Sequence, residues 1–440
     1  MKTKAGQRLL EWSKTLLILL LSASALLLIS QSNLYDDVAG WLGNQLEPSQ
    51  SEESDLFVGT GERSISVKPA RILVQNQSGR YGVRYDREAV DLLFESRLGG
   101  LLREAVTVAE TAQPVEEAQM RAVITGEGSW AYYDFLSQMP IAGMSVWLGN
   151  VEEEAVALSG TVRRFLLAEE ADGQVLYYKN EEDGQYYRCN LPESEGITLE
   201  AAISDLKPNG TVFAFEAGEE YAALGDYVMI MDSLPELSVY EVQNPLEGLS
   251  DAQRDELLQT LRFNPKAVSV YQGANGQAIR EGGDTLRLFQ NGTLSYHSTD
   301  TAQTRYQTQD TNATALVEEA QDLLADVLSN QTGEGRIYLI GVETQEDGSQ
   351  SVTFGYSLDG APVQVYGQGF AAQFIFRNGY ITDFTIHVRC YITTERKAAI
   401  LPERLAAAGM ESQGQEKKEL LLSYMDLGSS SEVTVAWTVQ

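Results

Sequence analysis

TVRRFLLAEEADGQVLYYKNEEDGQYYRCN, residues 161–190, alternates runs of Val, Leu, Phe and Tyr with two Asp-Gly pairs, Asp172-Gly173 and Asp183-Gly184. An Asp-Gly pair between such runs supplies the positive backbone φ angles of a tight β-hairpin, so the stretch predicts an antiparallel meander. Neither turn carries the alternating oxygen ligands of a calcium-binding loop, and both read as turn chemistry.

The same grammar continues toward the C-terminus. Asn291-Gly292, Asp359-Gly360 and Asn378-Gly379 mark further hairpins. Between them Leu316, Ala320, Leu323, Leu324, Val327 and Leu328 recur at helical spacing, which predicts a helix lying on a sheet. Ser250 and Gln253 form an S-x-x-Q capping box that starts a connecting helix running to about Arg262, and Asn264-Pro265 ends it. The closing segments LLLSYMDL and EVTVAWTVQ read as two strands, with Val433, Val435, Trp437 and Val439 facing a core. Upstream, a strand is expected over 65–74. Asp86 caps a helix carrying Val90, Phe94, Leu98, Leu101 and Ala105, and a second helix spans about Val115 to Ile124. The dense aromatic run Trp130, Tyr132, Tyr133 and Phe135 reads as a core strand entering a turn at Pro140. Helices alternating with antiparallel strands make the fold class α+β.

KTLLILLLSASALLLIS, residues 14–30, is the only stretch able to enter a bilayer. Lys2, Lys4, Arg8 and Lys14 precede it against Glu11 alone, which leaves the N-terminus in the cytoplasm and exports the remainder of the chain. Ala23-Ser24-Ala25 offers a cleavage site for a secretory signal, but LLLIS continues the apolar run past it, and the stretch from Leu9 to Leu34, with Glu11 and Lys14 able to snorkel, is long enough for a spanning helix of roughly 20 residues. A retained anchor is the favoured reading and a cleaved signal the other. On the anchor reading, the chain divides into a cytoplasmic tail (1–14), a transmembrane anchor (15–34), a mobile polar stalk (35–65), an N-terminal α+β domain (66–160), a middle β-rich domain (161–249) and a C-terminal α+β domain (250–440). Within the anchor, Ser22 and Ala25 lie at i and i+3 on one small-residue face, a candidate surface for a partner helix.

Lys and Arg number 32 against 63 Asp and Glu, a formal net charge of −31. Such a surface repels nucleic acid and anionic headgroups, so nucleic acid is not an expected partner. Cys189 and Cys390, two hundred residues apart, leave a disulfide open without constituting a framework. His297 and His387 are the only histidines, each within an expected strand and without metal-ligand spacing. No G-x-S-x-G, Walker loop or H-E-x-x-H occurs, and no catalytic, cofactor-binding or metal-binding residue is assigned. The many carboxylates leave room for a glycosidase-like pair, whose members have no fixed sequence spacing. A membrane-tethered cell-envelope hydrolase and a ligand-binding module are therefore the alternatives to an interaction protein.

FNPKAVSVYQGANGQAIREGGDTLRLFQNGTLSYHS, residues 263–298, resembles the stretch of the YycH family in which a strand near Asn-Pro leads through a charged hairpin to a Leu-Arg, turn, Leu-x-Tyr strand pair. The order of anchor, aromatic strand before Met139-Pro140, and VRRFLLAEEADGQVLYYKN meander is similar too, as are ILPERLAAAG (400–409) and the closing Tyr424 and Trp437 strands. The resemblance implies an extracytoplasmic, single-pass regulator of Gram-positive bacteria that adjusts the WalK sensor histidine kinase, a two-component system of cell-wall homeostasis, together with a YycI-like protein. It also implies a C-terminal domain that is YycI-like, and it carries no catalytic residues. The long acidic stalk and the acidic surface depart from the family pattern.

Overall fold

The computed structural model describes residues 67–149, 158–192, 196–299, 305–415, 417–428 and 430–440. The apolar run with Ser22 and Ala25, and the stretch 35–65, lie outside them; among the described residues no helix is long and apolar enough to cross a membrane.

Seven strands form the first sheet: β1 (Arg71–Asn76), β2 (Gly79–Arg84), β3 (Gln113–Val115), β4 (Trp130–Pro140), β5 (Thr161–Glu170), β6 (Gly173–Asn180) and β7 (Tyr186–Asn190). Their order is β2-β1-β4-β5-β6-β7-β3, antiparallel throughout. Gly173 (φ 124°) and Gly184 (φ 72°) make the two predicted turns. The aromatic strand β4 feeds two cores at once. Ala131, Tyr133 and Phe135 pack with Ile72 and Phe165, while Trp130 and Tyr132 pack with Leu73 and Leu166 on the opposite face. Over Trp130–Phe135 both faces of the strand are covered.

One face is covered by α1 (Arg87–Leu93), which passes through a single π-helical turn, Phe94–Leu98, into α2 (Gly99–Val108). Asp86 Oδ1 accepts the Ala89 N–H at 3.0 Å, and the whole predicted stripe from Val90 to Ala105 is buried. At Gly99 a Cβ would come within 2.9 Å of the Phe94 carbonyl oxygen, so glycine is what allows the widened turn to close. Helix α3 (Glu117–Thr125) begins later than Val115, because Gln113–Val115 is drawn into β3 by pairing with β7. Pro140 leads directly into α4 (Ile141–Gly149), which was not expected: IAGMSVWLG is apolar nearly all round and carries no helical period. After α5 (Leu199–Ile203), the short pair β8 (Val212–Phe213) and β9 (Met229–Ile230) covers the other face through Phe213 and Met229.

Strand β10 (Ser238–Gln243) precedes α6 (Asp251–Thr260), whose Ser250–Gln253 box forms as predicted, with Ser250 Oγ accepting from Gln253 N at 3.2 Å and Gln253 Oε1 from Ser250 N at 2.9 Å. Beyond it lies a second, eleven-stranded sheet. It contains β11 (Ser269–Gly273), β12 (Gly276–Glu281), β13 (Asp284–Phe289), β14 (Thr293–Ser298), β15 (Arg336–Thr344), β16 (Gln350–Leu358), β17 (Ala361–Val365), β18 (Ala372–Arg377) and β19 (Tyr380–His387). Helix α7 (Ala313–Leu328) lies on β16 and β18 with its predicted stripe buried. After β20 (Cys390–Lys397) and α8 (Glu403–Ser412), β21 (Leu420–Asp426) joins this sheet by a parallel pairing with β17.

The C-terminal segment departs from the expected single strand. It breaks at Thr434 into β22 (Glu432–Val433), which pairs with β10, and β23 (Val435–Val439), which pairs with β21 at the end of the sheet. Val433 is buried, but Trp437 is half-buried and Val439 exposed, because an edge strand is covered incompletely. The first sheet crosses residue 160 through the β4–β5 ladder, and β10 pairs with β20 and β22 in a three-stranded sheet that crosses residue 250.

Candidate functional site

A buried concentration of charge lies where segment 403–426 docks on the first sheet. Arg71 of β1, Asp134 of β4 and Arg163 and Arg164 of β5 adjoin apolar runs of their strands, and pairing of these neighbours brings them together. Glu419, immediately before β21, enters the cluster. Its Oε1 lies 2.7 Å from Arg71 Nη1, and its Oε2 lies 2.7 Å from Arg163 Nη1 and 3.0 Å from Arg164 Nη2. Asp134 holds Arg71 at 3.0 Å and Arg163 at 3.0 Å. Arg71 and Asp134 are almost completely buried. Burial alone would raise the Glu419 carboxyl, but Arg163, Arg71 and Arg164 outweigh it and hold Glu419 well below the usual carboxylate range. Three guanidinium groups facing two carboxylates form a charged pin between the first sheet and the start of β21.

A second buried pair, Arg84 to Glu403, ties the end of β2 to the first turn of α8, where a carboxylate also meets the positive end of the helix dipole. Tyr85 stands between the two pins. Its ring lies under both guanidinium groups, 5.9 Å from Arg71 and 5.3 Å from Arg84, and its hydroxyl accepts the Leu422 N–H at 3.0 Å. Tyr85 adopts φ 56°, a left-handed conformation disfavoured for a bulky residue, which places the ring at this junction.

Hollows open on the described surface, and three of them are lined by charged residues. One of about 560 Å³ lies between the entry to the first sheet and the end of α7; of its cations, Lys68 pairs with Glu95 at 2.6 Å and Arg87 with Asp91 at 3.5 Å, while Arg336 Nη1 donates to the Gly333 carbonyl at 3.4 Å. Another of about 610 Å³ lies beside Arg389, which is held by Asp426 at 3.1 Å. The third, about 680 Å³, lies between β8–β9 and the start of α8.

The two histidines sit at opposite ends of the β14–β19 ladder. His297 Nδ1 is 2.6 Å from Asp383 Oδ1 at the surface, and His387 Nδ1 is 3.0 Å from Thr293 Oγ1 in the interior. Burial, with Arg389 adding to it, pushes His387 down to about 4, so it is neutral. Four residues of strand, about 13 Å, separate a base with its acid from a base with its hydroxyl. A nucleophile–base–acid relay is therefore not assembled at either position. Among the described residues no group of three His, Cys, Asp or Glu side chains is arranged to hold a metal ion. Cys189 and Cys390 are both free thiols, in β7 and β20; burial pushes Cys189 up to about 12. The candidate anchor face, Ser22 and Ala25, falls outside the described residues.

The residues of the two pins were not singled out in the sequence. Their signal is a charged residue embedded in an apolar strand, as in WAYYDFL around Asp134.

No family model and no curated protein matches the chain. Among solved structures, the crystal structure of YycH from Bacillus subtilis matches with a TM-score of 0.55 over 86% of this chain and 95% of that one, at 12% sequence identity. The chain has a YycH-like fold.

Proposed function

We propose that the chain is a membrane-anchored extracytoplasmic regulator, without catalysis of its own, that modulates the sensor histidine kinase of a two-component system controlling cell-wall homeostasis. On this reading it acts beside a YycI-like protein, with its N-terminus in the cytoplasm and its body outside. The observation that carries the reading is the YycH-like fold, extending over 86% of the chain. The apolar run 14–30 and its basic flank supply the anchor. Confinement to a membrane raises the effective concentration of a weak partner, so modest contacts suffice.

Part of the recognition is assigned to the helix face holding Ser22 and Ala25, where small side chains permit close approach. Ser22→Leu combined with Ala25→Leu keeps the segment apolar while pushing a neighbouring helix away. Membrane insertion and abundance are expected to stay unchanged while co-purification of the kinase falls, whereas Ala23→Leu, about 100° from Ser22 around the helix, has a smaller effect. A double variant that co-purifies with the kinase like wild type would make the helix a tether only.

A further inference from the structure

We propose that the hollow beside Arg389 binds a small carboxylate that also carries hydroxyl groups, the chemistry of a sugar acid. Arg389 lies between β19 and β20 and is only 4% exposed, yet it lines this hollow. The volume, about 610 Å³, is within the roughly 300–1,000 Å³ typical of ligand pockets. The guanidinium is fixed on two sides. Nε lies 3.1 Å from Asp426 Oδ2, and Nη2 donates to the Tyr366 hydroxyl, which donates in turn to the Asn291 carbonyl. The guanidinium carbon also sits 4.7 Å from the centre of the Tyr366 ring. Tyr366 holds φ 51°, a left-handed conformation disfavoured for a bulky residue, and a Cβ at Gly428 would collide with its ring. The arginine is held in place before any ligand arrives.

The third nitrogen, Nη1, has no hydrogen-bond partner among the described residues. Unlike Nε it is not sealed from solvent, so the accessible part of this buried side chain opens into the hollow. Other arginines with little exposure each serve two carboxylates, Arg71 with Asp134 and Glu419 and Arg305 with Glu281 and Asp284. Among the described residues Arg389 has Asp426 alone. A ligand carboxylate on Nη1 completes the same arrangement through a charge-assisted bond. The rest of the lining suits hydroxyl groups. Gln243, Gln290 and Ser431 make no side-chain hydrogen bond among the described residues, and Asn291, whose Oδ1 accepts the Thr293 N–H at 3.1 Å, keeps its amide donors. Amides and hydroxyls both donate and accept, as the hydroxyls of a sugar do. Glu247 is the one acid of the lining, on a chain whose net charge is −31. Occupancy of this hollow does not rest on the regulatory reading above.

The test titrates the full chain in detergent with D-glucuronate and with D-gluconate by calorimetry, and with glucose and acetate as the two halves of the ligand. Saturable one-to-one binding of at least one sugar acid is expected, at least tenfold tighter than glucose or acetate. It should weaken at least tenfold in Gln243→Glu with Gln290→Glu, exposed positions where new carboxylates repel the ligand. Arg389→Lys, which keeps a charge beside Asp426 without Nη1, should weaken it similarly. The charge-matched pair Gln185→Glu with Gln272→Glu, exposed before β7 and on β11, should leave it unchanged. Absence of saturable binding by both sugar acids would leave Nη1 to water and overturn the proposal. Equal binding of glucose would take the carboxylate off Arg389, equal binding of acetate would remove the hydroxyl sites, and equal loss in the control pair would reduce the effect to net charge; each would overturn it too.

Discussion

Glu419 is the residue on which the junction turns. It meets three arginines, and removing one member of such a network leaves uncompensated charge in the interior, which typically costs roughly 3–5 kcal/mol. Glu419→Ala is therefore expected to lower stability to denaturant by that amount, while an exposed acid such as Glu343 changed to Ala should alter it by less than about 0.5 kcal/mol. Equal effects would show that the pin is not a structural element. His387 gives a pH signature. Its folded value is depressed to about 4 against an ordinary value near 6.5, so the unfolded chain takes up a proton first. The resulting stabilisation, about 3 kcal/mol, is complete above pH 6.5 and fades as pH falls from 6.5 toward 4. The groups facing the ring are Thr293, Tyr366, Phe370 and Arg389. In His387→Phe the slope of unfolding free energy between pH 6.5 and 4 should flatten, and an unchanged slope would refute burial as the cause. Neither feature was legible in the sequence. Arg71 and Glu419 are 348 positions apart, and nothing local marks one as the partner of the other.

Elements whose causes are local were legible. The Ser250–Gln253 box, the Asp86 cap, the α7 stripe and the turns at Asp359-Gly360 and Asn378-Gly379 each rest on a few adjacent residues, and each forms as predicted. Elements decided by pairing or by all-round burial were not. Helix α4 has no polar face to reveal its period, β3 takes residues from the expected start of α3, and the final strand breaks because β10 and β21 recruit its two halves. Trp437 shows the consequence. Its indole Nε1 donates to the Leu401 carbonyl at 2.7 Å, but its ring sits half-covered on an edge strand. Trp437→Ala should destabilise by roughly 1–2 kcal/mol through partial burial and one hydrogen bond. Trp130→Ala, at a fully buried position in β4, should cost about 3–5 kcal/mol. Thermal and denaturant melts that rank the two the other way would contradict the placement of these strands.

For the whole molecule, α+β architecture with a YycH-like fold was anticipated from the order of turns, aromatic strand and helices, and the structural likeness covers 86% of the chain. The division into domains at 160 and 250 stays a proposal about autonomous folding. The β4–β5 ladder joins 66–160 to 161–249 in one sheet, so limited proteolysis should release these segments together, and a stable 66–160 fragment would favour the sharper division. The two ionic pins fasten segment 403–426 across that sheet and couple it to β1 and β2. The central claim, regulation of a sensor histidine kinase, is tested most directly by reconstituting the full-length chain in liposomes with the sensor kinase of its own cell and measuring kinase autophosphorylation. The account predicts a rate that changes at least twofold when the chain is present and returns toward the kinase-alone value with Ser22→Leu and Ala25→Leu; a rate unaffected by the wild-type chain, with both proteins inserted in the same bilayer, would contradict it.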